Sequence, residues 1–215
     1  MNYFNITLIG GEPCSGKSTL VKSIIKLNKI KDYFEYDKIL KGYMNDDFII
    51  LGLYENNDFP GTDRLSMAVQ PVLIKFLESL GSEFNKHIIF EGDRLFKTSM
   101  VDYLTNYTHN FRLIILQCSE NTMNDRHIKR NDDQSQSWLK SKKTTVQNIR
   151  LKYDYHLLVN EDKNFKDNID YVMNIKNNKS INGKMKLVLP ILFISLFIIF
   201  GFIFSFYKSQ SLKAK

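Results

Sequence analysis

Gly11, Gly16, Lys17 and Ser18, within the stretch GGEPCSGKST at positions 10–19, fill the four fixed positions of G-x-x-x-x-G-K-[ST]. Each residue type has a reason to be there. The glycines let backbone N–H groups turn inward and approach phosphates closely. Lys17 reaches the β- and γ-phosphates as a mobile point charge, and the Ser18 hydroxyl is a Mg²⁺ ligand. Glu12, Pro13, Cys14 and Ser15 between them, and Thr19 after them, complete a loop that suits ATP with Mg²⁺. A helix that begins at such a loop points its positive end at the same anion. The bland reading of the stretch is a Gly/Ser turn with a solvated lysine.

Three further clusters offer companions for a phosphate. EGDR at 91–94 supplies Glu91, Asp93 and Arg94. An acid there can hold Mg²⁺ through water or orient and deprotonate an acceptor, and an arginine can clamp a phosphate bidentately. The alternative is a surface turn of mixed charge. GTDRLSM at 61–67 supplies Asp63 and Arg64, which either contact a substrate or merely cap and pair at a helix start. The segment 126–150 is basic and holds Arg126, Lys129, Arg130, Lys140, Lys142, Lys143 and Arg150. Arg126 and Arg130 are one helical turn apart, so both can reach a transferring phosphoryl group. Trp138 reads as a packing anchor rather than a base-stacking platform.

The elements that must position these residues follow from hydrophobic period. YFNITLIGG at 3–11 has the length and apolar content of a strand, and Leu20, Ile24 and Leu27 then recur at helical spacing. Strand, Gly-rich loop and helix come in the order a phosphate loop requires. The stretch 32–44 reads as a short strand and a turn, and 47–56 as another strand. From 62 to 81 Leu65, Val69, Val72, Phe76 and Leu80 share a helical face, Gly81 marks the stop, and Pro71 predicts a kink or restart. KHIIF and FRLIIL are continuous apolar runs, which suit strands buried on both faces of a parallel sheet. YHLLV reads as a last strand and 162–175 as a last helix. Strands alternating with helices predict a doubly wound α/β sheet. Ligands of such sheets lie beyond the carboxyl ends of the strands, where the loop and EGDR meet.

The 215 residues leave material beyond one such domain. Residues 187–207, LVLPILFISLFIIFGFIFSFY, carry no charge. As a helix they reach ~30 Å, the thickness of a bilayer's hydrocarbon core, and predict a transmembrane span. The expected division is a domain at 1–176, a basic linker at 177–186, the span, and a short basic tail at 208–215. Seven of the 30 basic residues are lysines at 176–215, a stretch without acids, so the rest of the chain balances 23 basic against 23 acidic residues. The net charge of +7 therefore belongs to the tail and points to anionic lipid, not to nucleic acid. Lysines on both sides of the span leave its orientation open. ATP and Mg²⁺ are cytosolic, which places the domain in the cytosol. Cys14 and Cys118 make no disulfide framework.

The D-x-x-G and N/T-K-x-D motifs of a switch GTPase do not occur in place, nor does an LSGGQ-type signature of a transport ATPase. The phosphate loop, EGDR after a core strand, the basic segment with DRHIKR and a terminal strand ending in VNE together resemble the P-loop nucleoside and nucleoside-monophosphate kinases. Thymidylate kinase-like and deoxynucleoside kinase-like members, including those of phages and large DNA viruses, are the nearest. The resemblance covers residues 1 to about 176 and implies a three-layer P-loop fold with about five parallel strands, an ATP site, an acceptor pocket and an arginine-bearing lid. It implies that Lys17 and Ser18 hold phosphates and Mg²⁺. Glu91 or Asp93 would serve acceptor or metal, and Arg94 the phosphates. Arg126 and Arg130 would be lid arginines, and Asn160 would open the adenine loop. Residues 36–64 match no acceptor signature. The expectation is a membrane-anchored phosphotransferase for a nucleoside or nucleotide. The alternatives are a tethered ATP-binding module that recruits a partner, and a kinase of another acceptor.

Overall fold

The structure is a computed structural model that describes residues 4–55, 60–130 and 134–174. Its centre is β1 (Ile6–Gly11), every residue of which is buried. A strand so placed must be apolar on both faces, as this one is. It lies between β5 (His87–Glu91) and β6 (Phe111–Gln117), parallel to both. β4 (Phe48–Leu51) extends the parallel sheet beyond β5, and β7 (His156–Val159) extends it beyond β6. These five parallel strands match the expected number.

Side-chain alternation divides the sheet between two helical layers. Ile6, Leu8, Ile88, Phe90, Leu113 and Ile115 face α2 (Val69–Ser79), α3 (Thr98–Tyr107) and α5 (Gln136–Lys152). Ile9, Ile89, Ile114 and Leu116 face α1 (Lys17–Leu27) and α6 (Phe165–Met173). The three-layer α/β fold follows from this pattern of runs. α4 (Glu120–Arg130) has no buried residue and packs as a flap at the carboxyl edge.

Among the described residues the sheet has seven strands, one more than the six read in the sequence, in the order β2-β3-β4-β5-β1-β6-β7. The stretch read as one strand and a turn is a hairpin of β2 (Asp32–Tyr36) and β3 (Leu40–Met44), antiparallel to each other, with β3 antiparallel to β4. Its turn runs through Asp37 and Lys38 at φ 50° and 56°. No Asn-Gly or Asp-Gly signal advertises that turn.

Two other details differ from the sequence reading. α3, the crossover between β5 and β6, was not anticipated, although Met100, Val101 and Leu104 bury one face of it. Pro71 does not interrupt a helix. α2 begins at Val69, so Pro71 sits in its first turn, where its missing N–H has no partner to lose. Among the described residues no helix is long and apolar enough to cross a membrane. The proposed span at 187–207, its linker and its tail lie outside the described residues.

Candidate functional site

The carboxyl end of β1 opens into the loop at 11–16, at the point where the strand order reverses. Gly16 caps α1 in the left-handed region at φ 91°, and a Cβ there would stand 2.3 Å from Asn160 Nδ2. Only glycine meets both demands. α1 has no acid in its first turn and no side-chain hydrogen bond at its N-cap, so its first N–H groups remain for an anion. Lys17 Nζ curls over the loop and donates to the Gly11 and Glu12 carbonyls at 2.9 and 3.0 Å. Those bonds hold the ammonium above the cradle, ready to exchange carbonyl oxygens for phosphate oxygens.

The second wall comes from β5. Ile9 and Glu91 are register partners, which brings Glu91 level with the loop. Ser18 Oγ donates to Glu91 Oε1 at 3.0 Å. Burial pushes the Glu91 carboxyl up to about 7; the Lys17 charge opposes this, the Asp63 charge adds to it, and hydrogen bonds from Ser18 and Tyr54 oppose it. Thr62 Oγ1 donates to the Glu91 carbonyl at 2.7 Å, and Arg94 N donates to Asp63 Oδ1 at 3.1 Å. The 3-10 turn Thr62–Arg64 is therefore stitched to EGDR. Asp63 is raised by burial and by the neighbouring Asp93 charge, and held down by the Arg94 N–H bond and by Lys17.

Two cavities flank the loop. The larger, of about 400 Å³, is lined by Cys14, the 16–19 stretch, Arg126, Arg130, Asn160 and Phe165. It adjoins the N-terminus of α1 and offers an aromatic wall, as a nucleotide requires. The smaller, of about 230 Å³, lies on the other flank and includes Glu12, Ser15 and Arg150. Arg126 spans the larger cavity: Nη1 donates to Cys14 O at 3.3 Å and Nη2 to Asn160 O at 3.1 Å. Arg130 Nη1 approaches Cys14 Sγ at 3.6 Å. Glu161 ties the start of α4 to the β7–α6 connection by accepting from Ser119 N and Thr122 Oγ1 at 2.6 and 2.7 Å.

The structure thus brings Lys17, Ser18, Glu91 and Asp63 to one wall, and Arg126, Arg130 and Asn160 to the other. Asn160 lines the larger cavity, but its amide donates to Ser15 O at 2.7 Å and its Oδ1 accepts from Asn168. In this arrangement it braces the loop. Two expected residues point elsewhere. The Arg94 guanidinium donates to Met67 Sδ, away from the loop, and Arg64 is exposed, its charge acting on Tyr43.

Three residues at the site went unsingled in the sequence. Tyr54 is buried beside Glu91, which raises its phenol further after burial itself. Phe165 lines the larger cavity, and only its position just past the VNE strand end hints at that. Lys142 stood undistinguished in the basic run, yet its Nζ pairs with Asp93 Oδ2 at 2.8 Å and lies 5.1 Å from the centroid of the Trp138 ring.

Among the described residues no cluster of three or more acidic, His or Cys side chains could hold a metal alone. The donors present, Ser18 Oγ and Glu91, fit Mg²⁺, which is commonly bound through one or two carboxylates, substrate phosphates and water.

No protein-family model and no curated protein matches the sequence significantly. Among solved structures, the chain is similar to a gluconokinase from Sinorhizobium meliloti 1021, at 15% identity over 80% of this chain and 95% of that one, with a TM-score of 0.44. It is also similar to deoxyadenosine kinase from M. mycoides, at 16% identity over 79% of this chain and 96% of that one, with a TM-score of 0.36. The same enzyme with bound dATP matches at 16% identity over 78% and 97%, with a TM-score of 0.36. All of these likenesses are distant.

Proposed function

We propose that the chain is an ATP-dependent phosphotransferase for a small hydroxyl acceptor of the nucleoside or nucleotide class. The observation that carries this reading is the second acidic turn, Thr62–Arg64 with Asp63, stitched to EGDR at the open end of an intact phosphate loop. The contact of Ser18 Oγ with the buried Glu91 would serve Mg²⁺ with any bound nucleotide, whereas the second acid is what a site for an acceptor adds.

When bound, ATP supplies the transferable phosphoryl group and Mg²⁺ neutralises its oxygens. The chain's own residues position and stabilise. Backbone N–H groups of the loop and of α1 cradle the phosphates, and Lys17 moves from loop carbonyls to phosphate oxygens. Glu91, bonded to the hydroxyl of Ser18, would belong to the metal side of the site, where the two residues would hold Mg²⁺. Asp93 belongs to the acceptor side, where it accepts a hydrogen bond from the attacking hydroxyl. Arg126, Arg130 and Phe165 enclose the nucleotide, and closure of α4 excludes water as a competing acceptor.

The uncharged segment 187–207 anchors the chain in a membrane, with its basic flanks on anionic lipid and the domain facing the cytosol. Support for the anchor is its length and composition. The full chain should release ADP from ATP and Mg²⁺ only when an acceptor from a panel of nucleosides, nucleoside monophosphates and polyols is present. Deleting 187–207 should move it from the membrane fraction to the supernatant with that activity intact. ATP binding without acceptor-dependent turnover would favour the tethered binding module.

A further inference from the structure

Among the described residues, Lys142 is the cation of the basic segment that pairs with the acidic turn. It projects from α5, and three features hold it there. Its ammonium pairs with Asp93 Oδ2 at 2.8 Å, and it lies over the Trp138 ring one helical turn earlier. The far end of α5 is moored independently, by Lys152 on Asp102 at 2.9 Å and by Arg150 Nε on Tyr155 Oη at 3.0 Å. Both members of the Lys142 and Asp93 pair keep about a third of their surface in solvent, at 27% and 31% exposed. Such a pair is worth ~0–1 kcal/mol and is readily given up for a better partner.

The better partner is close. Asp63 senses the charges of both Asp93 and Lys17, so the partner of Lys142 and the lysine of the phosphate loop act on one carboxyl group. Glu91, two residues before Asp93, bonds to Ser18, next to Lys17. A terminal phosphate under Lys17 would therefore lie on the side of the site where Asp93 holds Lys142.

Resting on the phosphotransfer reading, we propose that Lys142 and Asp93 form an exchange pair. They neutralise each other in the empty site. When a nucleoside triphosphate binds, the Lys142 ammonium leaves Asp93 for the γ-phosphate. The same movement frees Asp93 to accept the hydrogen bond of an acceptor hydroxyl. The acceptor side is thus armed only when there is a phosphoryl group to receive, which keeps α5 and the acid turn in step. No bond is made or broken in the exchange.

The test uses binding, so it does not depend on knowing the acceptor. The full chain, Lys142→Met, Lys142→Arg and Asp93→Asn are titrated calorimetrically with ADP and with the β,γ-imido analogue of ATP, each with Mg²⁺. Lys142→Met should lose about tenfold in affinity for the imido analogue and keep its affinity for ADP. Lys142→Arg should recover most of that loss. Asp93→Asn should bind the analogue about twofold to fivefold more tightly, because Lys142 no longer has to leave a partner. Equal losses for both nucleotides, or weaker analogue binding in Asp93→Asn, would overturn the exchange and leave a structural bridge. Failure of the wild-type chain to bind the analogue would overturn it as well. The expected pattern without acceptor-dependent ADP release from any compound would keep the exchange and remove the phosphotransfer reading.

Discussion

Ser18 Oγ and Glu91 Oε1 lie 3.0 Å apart, 73 residues apart in the chain, and join the first turn of α1 to the end of β5. The pairing of β1 with β5 makes the contact, and burial makes it consequential. A fully buried carboxyl group that releases its proton only near pH 7 is half-charged under ordinary conditions.

That proton is linked to stability. The folded chain holds it above the pH at which an unfolded glutamate loses it. Glu91 therefore contributes stability below about pH 4.5 that is lost as pH rises towards about 7. The full shift is on the order of 3 kcal/mol. Glu91→Gln keeps the neutral form at every pH. Its melting temperature should exceed that of wild type by about 5–10 °C at pH 8 and match it at pH 4.5. Parallel melting curves across that range would show that Glu91 is not buried as a proton holder.

The same titration should govern metal-dependent binding. The charged form of Glu91 is the one that would hold Mg²⁺. Affinity for ATP with Mg²⁺ should therefore rise as pH goes from 6 to 8, while affinity for ATP with chelator should not. In Glu91→Gln the two profiles should run parallel. Calorimetry at three pH values decides, and a wild-type Mg²⁺ effect independent of pH would contradict this role.

The loop depends on a brace from the end of β7. Asn160 Nδ2 donates to Ser15 O at 2.7 Å, and Gly16 leaves room for it. Asn160→Ala should cost about 1–3 kcal/mol, because it leaves the buried Ser15 carbonyl unpaired. It should also weaken nucleotide binding about tenfold by loosening the cradle. Gly16→Ala should do more, since it adds a clash and a strained φ. Melting temperature and nucleotide titration measure both, and wild-type binding by Asn160→Ala would remove the brace from the account.

Arg126 borders the larger cavity, the proposed nucleotide site, and donates to Cys14 O and Asn160 O. Arg126→Ala should weaken ATP and ADP equally, because those contacts border the shared part of the nucleotide. Lys17→Ala should weaken ATP more than ADP, since Lys17 reaches the terminal phosphate. Competition titrations of the two variants separate these effects. A preferential loss of ATP in Arg126→Ala would move that arginine to the transferring phosphoryl group.

Much of this was legible in the sequence, for local reasons. The phosphate loop is a contiguous motif, and the strands at 87–91 and 111–117 are continuous apolar runs. Charge at the end of such a run must sit at the carboxyl edge, which placed Glu91 and Asp93. What the sequence hid depends on tertiary register. Tyr54 reads as a strand-end tyrosine until β4 pairs with β5. Lys142 is one of several lysines until α5 packs over the sheet. Arg94 has the right neighbours, but Met67 draws its side chain away. The β2–β3 hairpin was missed because its turn uses Asp37 and Lys38 where glycine or asparagine would have signalled it.

The most direct measurement is mass spectrometry of the acceptor after incubation with ATP, Mg²⁺ and the full chain, with Lys17→Ala alongside. The account predicts a nucleoside- or nucleotide-class hydroxyl compound heavier by one phosphoryl group, in amounts equal to the ADP formed and absent with Lys17→Ala. Nucleotide bound tightly, with no phosphorylated product and no acceptor-dependent ADP across the panel, would contradict it.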